Sequence, residues 1–209
     1  MIHITDPLIA TYLMTLQPEE DPRLLAMEEK AKAMNFPIID RQVGRFLHLL
    51  TLLKRPKLVV ELGSGFGYSA LWIARALEDG ARIVLTEYAE KNLAYARGIF
   101  TEEGLAEKAE FRTGNALELG QEYDDIDILF IDMDKYLYPA ALEAMLPHLA
   151  PKALLIADNA LWRGRVVETL DTKNNEPVKK FNEIMSRHDS FFTTIVPVGD
   201  GVLIAYRLS

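Results

Sequence analysis

The chain has 209 residues, 49% of them hydrophobic, with 31 acidic against 23 basic side chains, a formal charge of −8 and no cysteine. That is more than one average domain and less than two, and its apolar residues, spread along the whole length, suffice for one sizeable core and exclude disorder. Without cysteine there are no disulfides, thiolate metal sites or cysteine nucleophiles, and the acidic balance disfavours nucleic acid as a partner.

No stretch approaches the ~20 apolar residues of a membrane-spanning helix. The opening MIHITDPLIATYLMTL lacks the basic flank and small-residue cleavage site of a signal peptide. A cytoplasmic protein without membrane contact is expected, folded as a single domain over 1–209 with an N-terminal helical cap over 1–55 and a core over 56–209.

Residues 6–35 read as two helical pieces broken near Gln17-Pro18, the second carrying Leu24, Leu25, Met27, Ala31 and Met34 at helical spacing. Pro37 closes it, because the residue before a proline is pushed out of helical geometry. A third helix is expected over Gln42–Leu53, with Val43, Phe46, Leu47 and Leu50 on one stripe.

From residue 57 strands and helices alternate. KLVVEL is a short buried strand, and GSGFGYSALWIARAL turns into an almost wholly apolar helix that stops at Glu78-Asp79-Gly80. RIVLTE is a second strand, followed by a helix over 89–103 that Gly104 terminates. AEFRTG is a third strand, and IDILFID a fourth, apolar enough to be buried on both faces. A helix over Pro139–Leu149, the strand ALLIAD, a polar loop including DTKNNEP and a helix over Val178–Arg187 follow. FFTTIVPV and VLIAYRL around Gly199-Asp200-Gly201 form a terminal hairpin. Alternation of this kind implies an α/β fold: a Rossmann-like, doubly wound, mostly parallel sheet with a C-terminal antiparallel hairpin strand and N-terminal helices.

Glu61-Leu62-Gly63-Ser64-Gly65-Phe66-Gly67 sits where the first strand gives way to a helix. Glycines allow a tight turn and close approach of a ligand to the backbone, and the helix start offers free N–H donors. Glu87 falls at the end of the second strand, where a carboxylate can accept from both ribose hydroxyls. A tight turn beside a surface glutamate is the plainer alternative. A dehydrogenase fingerprint needs its third glycine one residue later than Gly67. Glu61 adds an acid suited to an amine, so S-adenosylmethionine, which has an amine and no pyrophosphate, fits better.

Two further acidic groups end strands: Asp132-Met133-Asp134-Lys135 after IDILFI, and Asp158-Asn159 after ALLIA. Side chains at neighbouring strand tips point into one crevice. Two carboxylates and an amide oxygen form a hard, oxygen-only set suited to Mg²⁺, or to Mn²⁺ or Ca²⁺. Taken singly, Asp132 or Asp158 reads equally well as a helix cap. Lys135, near a dication and partly desolvated, is expected to have a lowered pKa and to accept a proton, the alternative being a surface lysine paired with Asp134.

These pieces resemble the metal-dependent O-methyltransferases that include catechol and caffeoyl-CoA O-methyltransferases and many bacterial relatives. The matching runs are VVELGSGFGYSALWIARAL, FIDMDKYLYPAAL, LIADNALWRGRV and VPVGDGVLIAYR, in that order. The resemblance implies Asp132, Asp158 and Asn159 as metal ligands and Lys135 as general base. It implies Glu61, Gly63, Ser64, Gly65, Ser69, Glu87, Tyr88 and Asp132 around the cofactor, with Asn115 and Ala116 near the adenine. Tyr68 and Trp162 would lie by the methyl-transfer centre and the substrate ring, or else serve as core aromatics. Asp40 and Arg41 in IIDRQVG depart from the plant enzymes where relatives close over the substrate.

The expected activity is therefore methyl transfer from S-adenosylmethionine to a hydroxyl of a catechol-like or phenolic small molecule, in a homodimer like the relatives. Two rivals stand beside it. One is a transferase acting on a hydroxylated uridine of tRNA, served by a basic face of Arg41, Arg45, Arg163 and Arg165. The other is a non-catalytic cofactor-binding module.

Overall fold

A computed structural model describes residues 4–16, 21–169 and 175–209. The expected break at Gln17-Pro18 and most of DTKNNEP lie outside them. Three helices open the chain: α1 (Pro7–Leu16), α2 (Pro22–Met34) and α3 (Arg41–Lys54). Asp21 caps α2 by accepting from the Arg23 and Leu24 amides at 2.8 and 3.3 Å, and Pro22 costs nothing in a first turn whose N–H groups lack helical partners. Asp40 caps α3 in the same way through the Gln42 amide at 2.8 Å.

Seven strands then build one sheet: β1 (Leu58–Leu62), β2 (Arg82–Glu87), β3 (Ala109–Thr113), β4 (Ile126–Ile131), β5 (Leu149–Ala157), β6 (Phe191–Val196) and β7 (Val202–Arg207). Their order is β3-β2-β1-β4-β5-β7-β6, parallel through β5, with β7 antiparallel to both β5 and β6. Between them run α4 (Tyr68–Ala74), α5 (Glu90–Glu102), α6 (Ala116–Gly120), α7 (Tyr138–Met145) and α8 (Asn175–Ser186). The doubly wound α/β arrangement with its C-terminal antiparallel hairpin is the one the sequence predicts.

Strand alternation explains why both faces are covered. Val59, Ile83, Leu85, Ile128, Phe130 and Ile156 belong to a core shared with α2, α3, α4 and α5, whereas Val60, Val84, Leu129, Ile131 and Leu155 belong to one shared with α6, α7 and α8. The chain leaves β1 toward β2 and β3 but leaves β4 toward β5. The tips of β1 and β4 therefore flank the point where winding reverses, the crevice where such sheets bind ligands.

Several boundaries differ from the sequence reading. The α4 helix ends at Ala74 rather than Leu77, tightening into turns where the Ala76 and Leu77 amides donate to Ile73 and Ala74. Pro147, lacking an N–H, ends the α7 segment early, and β5 starts at Leu149 rather than Ala153. The α8 helix begins at Asn175, so Pro177 lies in its first turn, where no helical donor is lost. The α6 helix, five residues long, was not foreseen.

Candidate functional site

Gly63 leaves β1 with φ of +91°, and a Cβ there would lie 2.4 Å from the Asp132 carbonyl oxygen. The loop is thus pressed against the tip of β4 in a conformation only glycine accepts readily. It is also tied to β2: the Gly63 and Ser64 amides donate to the Thr86 carbonyl at 3.2 and 2.9 Å, and the Ser64 hydroxyl oxygen accepts from the Thr86 amide at 3.0 Å. The Gly65 amide donates to Glu87 at 3.1 Å.

Inside this loop Glu61 is wholly buried. The Ser69 hydroxyl donates to its Oε1, while Oε2 has no partner. Burial pushes its carboxyl up to about 7 despite the Ser69 and Ser64 hydroxyls, which favour the charged form, with the charges of Asp132 and Glu87 adding to the rise. A buried, half-partnered carboxylate fits a cationic group approaching from the crevice. Glu87 also accepts from the Ala89 amide at 2.9 Å and the Asn92 amide at 3.2 Å, which fixes its carboxylate at the β2 tip. Tyr88 beside it is 71% exposed.

Two expected cofactor neighbours are engaged otherwise. Tyr68 is buried, its ring edge-on to Trp72 and its hydroxyl donating to Glu28 on α2 at 2.6 Å. The first turn of α4 aims it at the helical layer, where its ring packs in the core beside the loop. Asn115 caps α6, accepting from the Leu117 amide at 3.1 Å and donating to Glu118 at 2.8 Å, so its amide is committed locally. Ala116 is buried behind it.

The second cluster forms where β4 and β5 end. Lys135 donates to Asp132 at 2.9 Å, and its ammonium lies 5.2 Å from the Tyr138 ring and 5.9 Å from the Trp162 ring. Asp158 is only 4% exposed, and its Oδ1 has no partner. Burial first, and the charge of Asp132 second, hold its carboxyl well above the usual carboxylate range. A buried carboxyl held prone to neutrality by a second acid beside it fits a bound dication. Among the described residues no group of three or more His, Cys, Asp or Glu side chains is placed to hold a metal ion; the groups that could contribute to one here are these two acids and the Asn159 side chain, with Asp200 close to Asp158.

Lys135 departs from expectation. Burial alone lowers an ammonium, but Asp132 and the Tyr138 hydroxyl outweigh it and raise the pKa above the ordinary lysine value. The lowering predicted from sequence needs a dication that takes up the charge of Asp132; the protein's own side chains do not supply it.

Beside Asp158 and Asn159 opens a cavity of about 640 Å³, walled by Leu13 and Met14 of α1, by Ile38 and Asp40, and by Val198 and Asp200 of the terminal hairpin. Of the two departures noted in sequence, Asp40 lines this cavity. Arg41 is not part of this lining and pairs with Glu28, its Nε donating at 2.9 Å. Asp200, read from sequence only as part of a turn, accepts from the Asn159 amide nitrogen at 3.1 Å. The glycines flanking it were the available signal, but they announce a hairpin, not what the aspartate meets.

From residue 13 to residue 208 the sequence matches the O-methyltransferase family. The chain belongs to that family. A catechol O-methyltransferase of Niastella koreensis is 32% identical over 196 residues, covering 88% of this chain and 87% of that one. A methyltransferase structure from Geobacter sulfurreducens superposes with a TM-score of 0.89 at 43% identity, covering 100% of both chains. The O-methyltransferase of Bacillus cereus in complex with SAH superposes at 0.86 with 29% identity, covering 96% of this chain and 97% of that one. In this O-methyltransferase, then, Glu61, Gly63, Ser64, Gly65, Ser69 and Glu87 come together at the tips of β1 and β2. Asp132, Lys135, Asp158, Asn159 and Trp162 come together around β4 and β5. Among the described residues no helix is long and apolar enough to cross a membrane.

Proposed function

We propose that this enzyme transfers a methyl group from S-adenosylmethionine to a hydroxyl of a catechol-like or other phenolic small molecule, with a divalent ion, Mg²⁺ or its analogues Mn²⁺ and Ca²⁺, held by Asp132, Asp158 and Asn159. One observation carries the reading: two buried carboxylates, Glu61 and Asp158, each keep an unpartnered oxygen, on either side of Asp132. Each calls for a positive partner, one the ammonium of the methyl donor, the other a dication.

When bound, the ion supplies Lewis acidity that lowers a phenol's pKa from its free value of ~10. The chain's own residues do the rest. Glu61 binds the donor's amine, and Glu87 accepts from its ribose. Lys135 Nζ takes the acceptor's proton, a role that requires Asp132 to be engaged elsewhere, since Asp132 otherwise keeps the ammonium charged. Trp162 walls the acceptor ring, and the apolar side chains of α1 exclude water. Catalysis then rests on alignment and desolvation.

The test is a methyl-transfer screen over catechols, caffeate, caffeoyl-CoA, flavonoids and tRNA, with Mg²⁺ and after EDTA. Turnover on a catechol that stops with EDTA and returns with Mg²⁺ is expected, and Lys135→Ala is expected to cut turnover while leaving cofactor affinity nearly intact. Full activity after metal removal refutes the metal role, and equal loss of turnover and cofactor binding refutes the base assignment. A homodimer accompanies this reading, supported by α1, which buries none of its residues and leaves Leu8 80% and Tyr12 58% exposed. Light scattering that gives a monomer mass at micromolar concentration refutes it.

A further inference from the structure

The segment that follows β5 is unusual in its backbone. Asn159, Trp162 and Arg163 all have positive φ, at 54°, 45° and 53°, a region that side-chain-bearing residues avoid. Three such residues in five positions persist only where the surroundings over-determine them. What surrounds them is the turn of the β6–β7 hairpin. The Ala160 amide donates to the Gly201 carbonyl at 2.8 Å and the Leu161 amide to the Asp200 carbonyl at 3.0 Å. The Asp200 carboxylate spans the rest, accepting from the Asn159 side-chain amide through Oδ2 at 3.1 Å and from the Arg163 backbone amide through Oδ1. Gly201, with φ of +83°, allows the contact to close, because a Cβ there would lie 2.4 Å from Leu161 Cγ.

We propose that Asp200 is a positioning residue that decides which end of the Asn159 amide serves the site. A carboxylate only accepts hydrogen bonds, so an amide facing it must present its NH₂ group. The carbonyl oxygen is then the end left for the cavity that Asp158 and Asn159 line together. An amide turned the other way would offer two N–H donors to that cavity, and a cation binds oxygen, not N–H. The same carboxylate holds Arg163, and with it the backbone that carries Trp162 past Lys135. The proposal rests on the metal reading above for its consequence, though not for its geometry.

The experiment uses the full chain and Mn²⁺ as probe, titrated by electron paramagnetic resonance. Asp200→Asn keeps an oxygen for Arg163 but sets an NH₂ against the NH₂ of Asn159. It is expected to weaken Mn²⁺ binding about 10- to 100-fold, as loss of an outer partner of a metal ligand commonly does. The deciding comparison repeats this change in an Asn159→Asp background. There Asp200 and the new carboxylate repel, and D200N supplies the missing donor, so the same substitution is expected to strengthen Mn²⁺ binding. If Asp200 contributes only negative charge, D200N weakens binding in both backgrounds, and the proposal is overturned.

A metal-free readout separates this idea from the metal reading. In ¹H–¹⁵N spectra the Asn159 side-chain amide, identified by its loss in N159D, is expected to move to a solvent-exposed position in D200N. An unmoved signal overturns the proposal. A moved signal in a protein that takes up no Mn²⁺ upholds the orienting role and refutes the metal reading instead.

Discussion

Replacing Glu61 by glutamine should make the stability of the cofactor-free protein less sensitive to rising pH while disabling it. The carboxyl is wholly buried, and its pKa stands at about 7 against an ordinary value of 4.5. A folded-state pKa above the unfolded one means that the folded protein holds the proton more tightly. The associated stability is therefore complete below the unfolded pKa and is lost as pH rises through the folded one. One pKa unit corresponds to ~1.36 kcal/mol, so ionised Glu61 costs the fold about 3 kcal/mol at pH 8. Glutamine has the same shape, never ionises, and can still bond the Ser69 hydroxyl. For a chain of this size about 1 kcal/mol shifts the melting temperature by roughly 2–4 °C, so the melting temperature of E61Q relative to wild type should rise by roughly 6–12 °C between pH 4.5 and pH 8, on top of a pH-independent cost of about 1–3 kcal/mol for the buried NH₂ group. At pH 4.5 the ionisation cost nearly vanishes and the variant should melt no higher than wild type. The assay is thermal denaturation of both proteins across that range, in EDTA and without cofactor. A difference in melting temperature that does not change across that range refutes the account of Glu61 as a strained, half-partnered ion. Calorimetry should show that the variant has lost most of its affinity for S-adenosylmethionine.

Gly63→Ala puts a methyl group against the immovable Asp132 carbonyl in a left-handed conformation and should cost at least about 2 kcal/mol in urea denaturation; a smaller loss means that the loop is not pressed against β4 as described. Tyr68→Phe removes the hydroxyl that bonds Glu28 and should cost about 1–2 kcal/mol of stability without changing cofactor affinity. A cofactor affinity that falls with it would restore Tyr68 to the binding site.

The sheet was legible because strands buried on both faces read as unbroken apolar runs, and their tips could be located from where those runs meet Gly63, Glu87, Asp132 and Asp158. The phase of a helix against its neighbours is not written locally. Nothing near Tyr68 announces that Glu28, on a helix before the sheet begins, receives its hydroxyl. The α6 helix is too short to show a stripe, and nothing local announces that Asn115 caps it. Asp200 was hidden by topology: it reaches Asn159 only because β7 pairs with β5 and leaves β6 outside, and residues 41 positions apart give no local sign of that. The lowered pKa expected for Lys135 presumes a metal ion, whereas the neighbouring protein charges act in the opposite sense.

Interposing the last strand between β5 and β6 has a consequence for biosynthesis. The partners of the glycine loop and Glu87 all precede residue 190, whereas the β7 edge of β5 and the Asp200 and Gly201 carbonyls that hold the segment after it come later, although Asn182 on α8 already donates to the Ala160 carbonyl at 2.7 Å. The two clusters at the strand tips thus differ in the span of chain that builds them: the glycine loop is complete with residues 58–132, and the segment around Asn159 is complete only with residues 200–207.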